Sequence, residues 1–429
     1  MKSTTIQLLT ALFITSVSLV IPVVATAAEM RTASPERVGM SAERLERLDE
    51  ALTTYVENDQ IAGQVVMVMR DGRVVFSDAN GWRNKEEGVE MTEDTVFRIA
   101  SQTKAVVSTG IMVLHERGKL DINHPLSRYF PEWSDVQVAV DDGAGGYTLE
   151  PARRPITLRH LLTHTAGISY GSGPAQQLWE RAGFQGWYFA NKNEPIGVSI
   201  ARMGSLPIDG HPGENWIYGY NTDILGAVIE KASGQDLWTF LHTEILEPLD
   251  MHDTHFYLPQ AKADRLAVVY RPRQGGGIEA IPVRDGMQSQ GLYVEGNGPN
   301  LSYSGGAGFL STARDYSRFL QMLLNGGKLD GNRILSPKTV ELMTTSHIGD
   351  VPFRPGQGFG LGFSVLEDLG TRGTLGSEGE FGWGGAYHST YWVDPEERLV
   401  VVYLTQIIPA TGLDDYAKLR NGIYQAIID

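Results

Sequence analysis

Ser101-Gln102-Thr103-Lys104 places a hydroxyl and an amine three residues apart. On a helix the two side chains share a face, one turn from each other. A lysine held near a hydroxyl and partly desolvated can take its proton. A helix starting at the serine would add free backbone N–H groups and a positive dipole end, both favourable to an oxyanion. Alone the pattern is weak, because a capping serine followed by a solvated lysine spells the same string. A second serine stands in Gly167-Ile168-Ser169-Tyr170-Gly171, which matches the Gly-x-Ser-x-Gly nucleophile elbow. An elbow needs a buried strand before the serine and a helix after it. Here Leu158 to His164 is helical in pattern and Gly171 to Ala175 is a Gly/Pro/Ser turn. Ser169 therefore reads as a loop residue.

Two aromatic segments could complete a site. Trp216-Ile217-Tyr218-Gly219-Tyr220-Asn221 precedes a capped helix, so Tyr218 would sit on a loop with its phenol free to enter a cleft. A tyrosine packed beside Trp216 fits the string equally well, and Tyr220 is the nearest competitor for the role. Gly382-Trp383-Gly384-Gly385-Ala386 enters a strand, and glycines there permit close approach of a ligand to the backbone or mark a bulge. His160 and His164 are spaced four apart without the intervening Glu of a zinc-protease helix, and are expected to satisfy local hydrogen bonds. No metal or cofactor is expected.

The elements that must position these residues follow from pattern. Ser41 caps a helix carrying Leu45, Leu48, Leu52 and Tyr55 on one face. Gln64 to Arg70 and Arg73 to Ser77 read as strands joined by Asp71-Gly72. A second helix runs from near Ser101 to just before Gly118, a left-handed cap. From Lys119 to Arg284 the pattern is short helices and polar loops: Thr157 caps Leu158 to His164, Asn221 or Thr222 caps a helix ending at Gly234, and Asp236 caps a third. Ser311-Thr312-Ala313-Arg314-Asp315 offers a capping box. Strands follow at Phe359 to Leu366, Gly385 to Val393 and Leu399 to Thr405, then a helix from Asp414 to Ile428. The expected architecture is α/β (α+β): an antiparallel sheet built from residues 30–118 and 285–429, flanked by helices, with an all-helical domain, 119–284, inserted between its parts.

Composition bounds the chemistry. The chain of 429 residues is 42% apolar and 20% charged, a globular composition with room for a large core. With 36 Lys and Arg against 51 Asp and Glu its formal net charge is −15, which argues against nucleic acid as a partner. It has no cysteine, so disulfides and thiol nucleophiles are excluded and the nucleophile must be oxygen or nitrogen. Lys2, the apolar stretch Ile6 to Val24 and Ala25-Thr26-Ala27-Ala28 spell a secretory signal over residues 1–27. Thr10, Thr15, Ser16, Ser18 and Pro22 weaken the alternative, an uncleaved membrane anchor. The mature chain is expected in the periplasm or secreted, with no stable membrane insertion.

Five stretches in order resemble the serine β-lactamase and penicillin-binding-protein superfamily, most closely its class C β-lactamases and family VIII carboxylesterases. They are Phe97 to Lys104, Leu158 to Gly167, Tyr218 to Gly226, Gly305-Gly306-Ala307-Gly308 with Ser311-Thr312, and Trp383-Gly384-Gly385. The resemblance covers essentially the whole mature chain. It implies Ser101 as nucleophile, Lys104 as its partner, Tyr218 as the proton-shuttling tyrosine, and the backbone N–H groups of Ser101 and Ala386 as the oxyanion hole. Substrate would lie near Trp383, Gly384, Gly385, Tyr220 and Tyr170. Two departures stand out: Tyr220 occupies the Asn place of the Tyr-x-Asn motif, and Trp383 replaces the Lys of Lys-Thr-Gly. An indole cannot hold a carboxylate, and a lost charged hydrogen bond is worth about 1.5–3 kcal/mol, which tilts the expectation towards neutral acyl esters.

The expected function is therefore a serine hydrolase acting on small carboxylic esters through an acyl-enzyme on Ser101. The alternatives are a class C-like β-lactamase or D-amino-acid peptidase acting on a lactam or peptide, and a non-catalytic penicillin-binding receptor.

Overall fold

A computed structural model describes residues 30–187, 189–282 and 292–429. The expected signal, 1–27, and the expected boundary at 284/285 lie outside the described residues. Helix α1 (Ala42–Glu57) starts at Ser41, whose side chain accepts from Arg44 N. It leads into β1 (Gly63–Arg70) and β2 (Arg73–Asn84), a hairpin, and the short β3 (Val89–Glu90). Helix α2 (Thr103–Glu116) follows, then α3 (Leu158–Leu162), α4 (Asn221–Ser233) and α5 (Ala313–Leu324). Strands β4 (Gln357–Phe359), β5 (Ser364–Leu366), β6 (Phe381–Gly385), β7 (Ser389–Asp394) and β8 (Leu399–Leu404) precede α6 (Asp415–Ala426). The strand order is β4-β5-β6-β7-β8-β1-β2-β3, antiparallel throughout. The two ends of the chain meet where β8 pairs with β1, Val66 opposite Tyr403.

Both faces of the central strands are covered, which explains their unbroken apolar runs. Val66, Val68, Val401 and Tyr403 pack with Leu45, Leu48, Leu52, Leu419 and Ile423 of α1 and α6. Val65, Met67, Met69, Val400 and Val402 face the other way, into the larger core with Tyr316 and Phe319 of α5 and Ile111 of α2. Alternate residues thus serve opposite layers. Every residue of α2 from Thr103 to Leu114 is buried, so this helix runs through the interior.

Five local expectations are corrected. The middle segment is not all-helical: Gln137–Asp141 pairs with Tyr147–Pro151, and Tyr270–Pro272 with Ile278–Ala280. The first hairpin closes on an Asp142 side chain that accepts from Ala144 N and Gly146 N, and the second on Gly275, Gly276 and Gly277, all at positive φ. Each is a short-range device invisible to helical periodicity. Strand β2 runs to Asn84, beyond Ser77, because it follows β1 to its far end. The run Phe359 to Leu366 is two strands, turned at Gly362 (φ 102°), and Gly385 to Val393 spans the turn between β6 and β7. Trp383 consequently lies inside β6. Helix α4 has no side-chain cap; Asn221 instead donates to His164.

Candidate active site

Ser101 sits on a single 3-10 turn, Ala100–Gln102, wedged between the two-residue strand Phe97–Arg98 and α2. Ala100 has φ 43°, a strained left-handed conformation for a residue with a Cβ. Strain of this kind persists only where surrounding structure imposes it. The carbonyl of Ile99 does part of this: a Cβ on Gly385 would stand 2.5 Å from it, so only glycine lets β6 close on the turn. Ser101 and Ala386 thereby line the same cavity, of about 560 Å³, with Tyr170, Tyr218, Trp383, Gly384 and Gly385.

Lys104, one turn on, is 2% exposed. A buried ammonium is costly unless paired and hydrogen-bonded. Its Nζ donates to the carbonyl of Gly306 at 2.7 Å and to Tyr170 Oη at 3.0 Å, and stands 3.5 Å from Ser101 Oγ. It also lies 4.6 Å from the centroid of the Tyr218 ring, a cation–π contact. The Gly306 peptide continues the network, its N–H donating to Asp223 Oδ1 at 2.9 Å, where Ser304 Oγ also donates at 2.6 Å. Burial raises the Asp223 carboxyl, and Lys104 opposes that shift. One residue, through the two peptide groups that flank it, thus joins a buried carboxyl to the lysine.

Tyr218 and Tyr170 approach Lys104 from two loops pressed together. A Cβ on Gly219 would lie 2.3 Å from the carbonyl carbon of Ser169, so glycine is needed for contact. Trp383 Nε1–H donates to Tyr218 Oη at 3.1 Å. Tyr170 meets Tyr218 edge-on, centroids 5.8 Å apart. Burial, with Tyr218, Asp223 and Tyr220 nearby, raises the Tyr170 phenol well above its ordinary value, so it stays neutral and acts as a hydrogen-bonding partner. Behind Tyr218, His164 is buried at 4.6 Å between ring centroids and accepts from Asn221 Nδ2 through Nδ1 at 3.0 Å. Burial and Lys104 hold its imidazole well below the usual range, hence uncharged. His160 serves the capping box of α3 with Thr157.

Ser101, Lys104, Tyr218, Tyr170, Trp383, Gly384, Gly385 and Ala386 therefore gather in one place. Tyr220 does not. It is 1% exposed, stacked on Trp179 at 5.9 Å, and its hydroxyl donates to the Gly186 carbonyl. Its chain position one residue before α4 turns it into the aromatic core and away from the cavity of Ser101. Ser169 Oγ accepts from Gly171 N and Ser172 N, both at 3.1 Å, as a loop serine. Motif reading missed the charged wall of the cavity, Arg354, Arg372, Glu380 and Arg420, and Gln357 beside it. None lies in a motif, and no sequence signal marks them.

The sequence model of the Beta-lactamase family matches residues 48–422. The chain belongs to the Beta-lactamase family. Among relatives, Protein Rv1367c of Mycobacterium tuberculosis is 34% identical over 378 residues, 84% of this chain and 90% of that protein. Esterase EstB of Burkholderia gladioli is 32% identical over 379 residues, 84% of this chain and 89% of that one. Among solved structures, "EstCE1, a hydrolase with promiscuous acyltransferase activity" superposes with TM-score 0.77 at 28% identity, covering 89% of this chain and 99% of that chain. This Beta-lactamase family protein has the β-lactamase/transpeptidase fold, and its relatives are serine hydrolases and acyltransferases.

Proposed function

We propose that the protein hydrolyses small carboxylic esters through an acyl-enzyme on Ser101. The observation that carries this is the placing of Ser101 Oγ 3.5 Å from a buried Lys104 Nζ, on a cavity shared with Tyr218 and Ala386. Lys104, in its neutral form, takes the Ser101 proton as Oγ bonds to the ester carbonyl carbon. The oxyanion that forms lies against the backbone N–H groups of Ser101 and Ala386. Collapse breaks the bond to the alcohol oxygen, which takes its proton from Tyr218, and Tyr218 is reprotonated from Lys104. Water then attacks the acyl carbonyl, its proton passing to Tyr218 as the phenol gives its own to Lys104, and Lys104 returns that proton to Ser101 Oγ as the bond to the acyl carbon breaks and the acid departs. Tyr170 holds Lys104 in place.

Several features support an ester over a lactam or peptide. Trp383 stands where a carboxylate-holding lysine is expected, and its N–H is engaged by Tyr218. EstB is an esterase. An acyl-enzyme can also be captured by an alcohol, and the promiscuous acyltransferase activity of EstCE1 supports acyl transfer as a second outcome. Residues 1–27 support a periplasmic or secreted setting, small molecules being the only partners proposed.

The test is p-nitrophenyl butyrate hydrolysis by the wild type, Ser101→Ala and Ser169→Ala, alongside a cephalosporin. Loss of ester turnover with Ser101→Ala alone is expected. Loss with Ser169→Ala alone would overturn the assignment, and a faster cephalosporin reaction would favour the β-lactamase. A persistent acyl adduct in intact-mass spectra without turnover would make the protein a receptor.

A further inference from the structure

The cavity of Ser101 is basic although the protein carries a net charge of −15. Arg354, Arg372 and Arg420 line it against a single carboxylate, Glu380. Glu380 is consumed: Arg420 grips both its oxygens at 2.7 and 2.8 Å, Tyr424 Oη donates at 2.8 Å, and Arg372 stands 3.7 Å away. Arg354 is different. Its guanidinium carbon lies 4.6 Å from the centroid of Trp383 and 5.3 Å from that of Phe353. Among the described residues no carboxylate forms an ion pair with it, and its charge is felt by Tyr218 and by Arg372.

The position of this cation along the site identifies which part of a substrate would meet it. From the nucleophile outward run Ser101, Lys104, the Tyr218 ring, Trp383 and Arg354, each in contact with the next. On the mechanism proposed above, Tyr218 protonates the departing alcohol, so Trp383 and Arg354 lie on the alcohol side of the scissile bond. A guanidinium stacked on an indole keeps its N–H edge free and pre-oriented for bidentate contact with a carboxylate. Gln357, in the same wall, offers a further amide donor.

We propose that the site selects esters whose alcohol portion carries a carboxylate, the acyl portion being neutral, and that Arg354 is the residue that recognises it. This rests on the esterase reading and names its substrate class.

The test compares para-carboxybenzyl butyrate with its neutral partner, para-carbamoylbenzyl butyrate, which have similar leaving alcohols. The wild type is expected to favour the carboxylate by about tenfold or more in kcat/KM, as for other charge-assisted contacts. Arg354→Gln should erase that ratio and Arg354→Lys should retain part of it, while added salt should lower it. A ratio near one in the wild type, or a preference that survives Arg354→Gln, overturns the proposal. If neither these esters nor p-nitrophenyl butyrate is cleaved, the esterase reading fails by itself. Calorimetric titration with para-(hydroxymethyl)benzoate then decides the anion site: binding about tenfold weaker in Arg354→Gln upholds it, and equal or absent binding overturns it.

Discussion

At the scale of single residues, two phenols share one ammonium and are expected to differ in what they do. Tyr170 bonds Lys104 but is held neutral by its surroundings, whereas Tyr218 accepts an N–H from Trp383 and is the phenol proposed above to carry the proton. Tyr218→Phe is therefore expected to lower kcat by roughly 10²–10⁴-fold, the range of general acid–base catalysis. Tyr170→Phe, which loosens Lys104 without removing Tyr218, should cost about tenfold, in keeping with the loss of one hydrogen bond. Steady-state kinetics with p-nitrophenyl butyrate separates the two, and equal losses would mean that the roles are shared. Trp383→Phe removes the donor to Tyr218 while keeping an aromatic wall. It should reduce kcat more than it raises KM.

At the scale of elements, the site depends on close backbone approaches. Gly385→Val would put a side chain against the Ile99 carbonyl and drive β6 off the Ser101 turn. A loss of kcat of at least about tenfold is expected, with far-UV circular dichroism unchanged. A loss of folded protein instead would show that β6 is needed for the sheet as much as for the site. Legibility in the sequence follows the same division. Ser101 and Lys104 were readable because the 3-10 turn at Ala100–Gln102 runs straight into α2 and keeps them about one turn apart. Trp383 was readable as a motif but not as a strand residue, since β6 and β7 share one apolar run broken only by the turn at residues 386–388. The Tyr170–Lys104 bond was not readable: it joins residues 66 positions apart through a loop held by Gly219. Tyr218 and Tyr220 differ only by where the chain turns into α4, and Arg354 is a lone arginine in a loop. Long-range loop contacts of this kind have no periodicity to betray them.

At the scale of the whole molecule, the central strands were legible as apolar runs, as expected of strands covered on both sides, but such a run does not show which residue faces which layer. Buried histidines tie stability to pH. Burial, with Arg159 and Arg154 near, lowers His160 to about 4 from its ordinary 6.5. The unfolded chain takes up this proton below pH 6.5 and the fold takes it up only near 4, so stability falls as pH drops through that window. His160→Gln keeps a capping-box acceptor and removes the titration. Its urea midpoint should fall less than that of the wild type between pH 7 and 5, by about 1 kcal/mol once partial exposure is discounted. An identical pH dependence would refute this origin. Asp315, raised by burial to about 6, acts in the opposite sense, so its Asn variant should lose stability more steeply on acidification.

The pairing of β1 with β8 has a topological corollary. Ser41 N bonds Ala426 O at 2.8 Å and Ile428 N bonds Gly39 O at 2.9 Å, so the chain comes back on itself at Gly39 and Ile428 much as a ring does. In a ring the place where the chain is cut matters little, provided that the cut falls on a surface turn. A permuted gene that joins Asp429 to residue 30 by a short linker and opens at the exposed turn Gly143 to Gly146 should yield the same sheet and the same arrangement around Ser101.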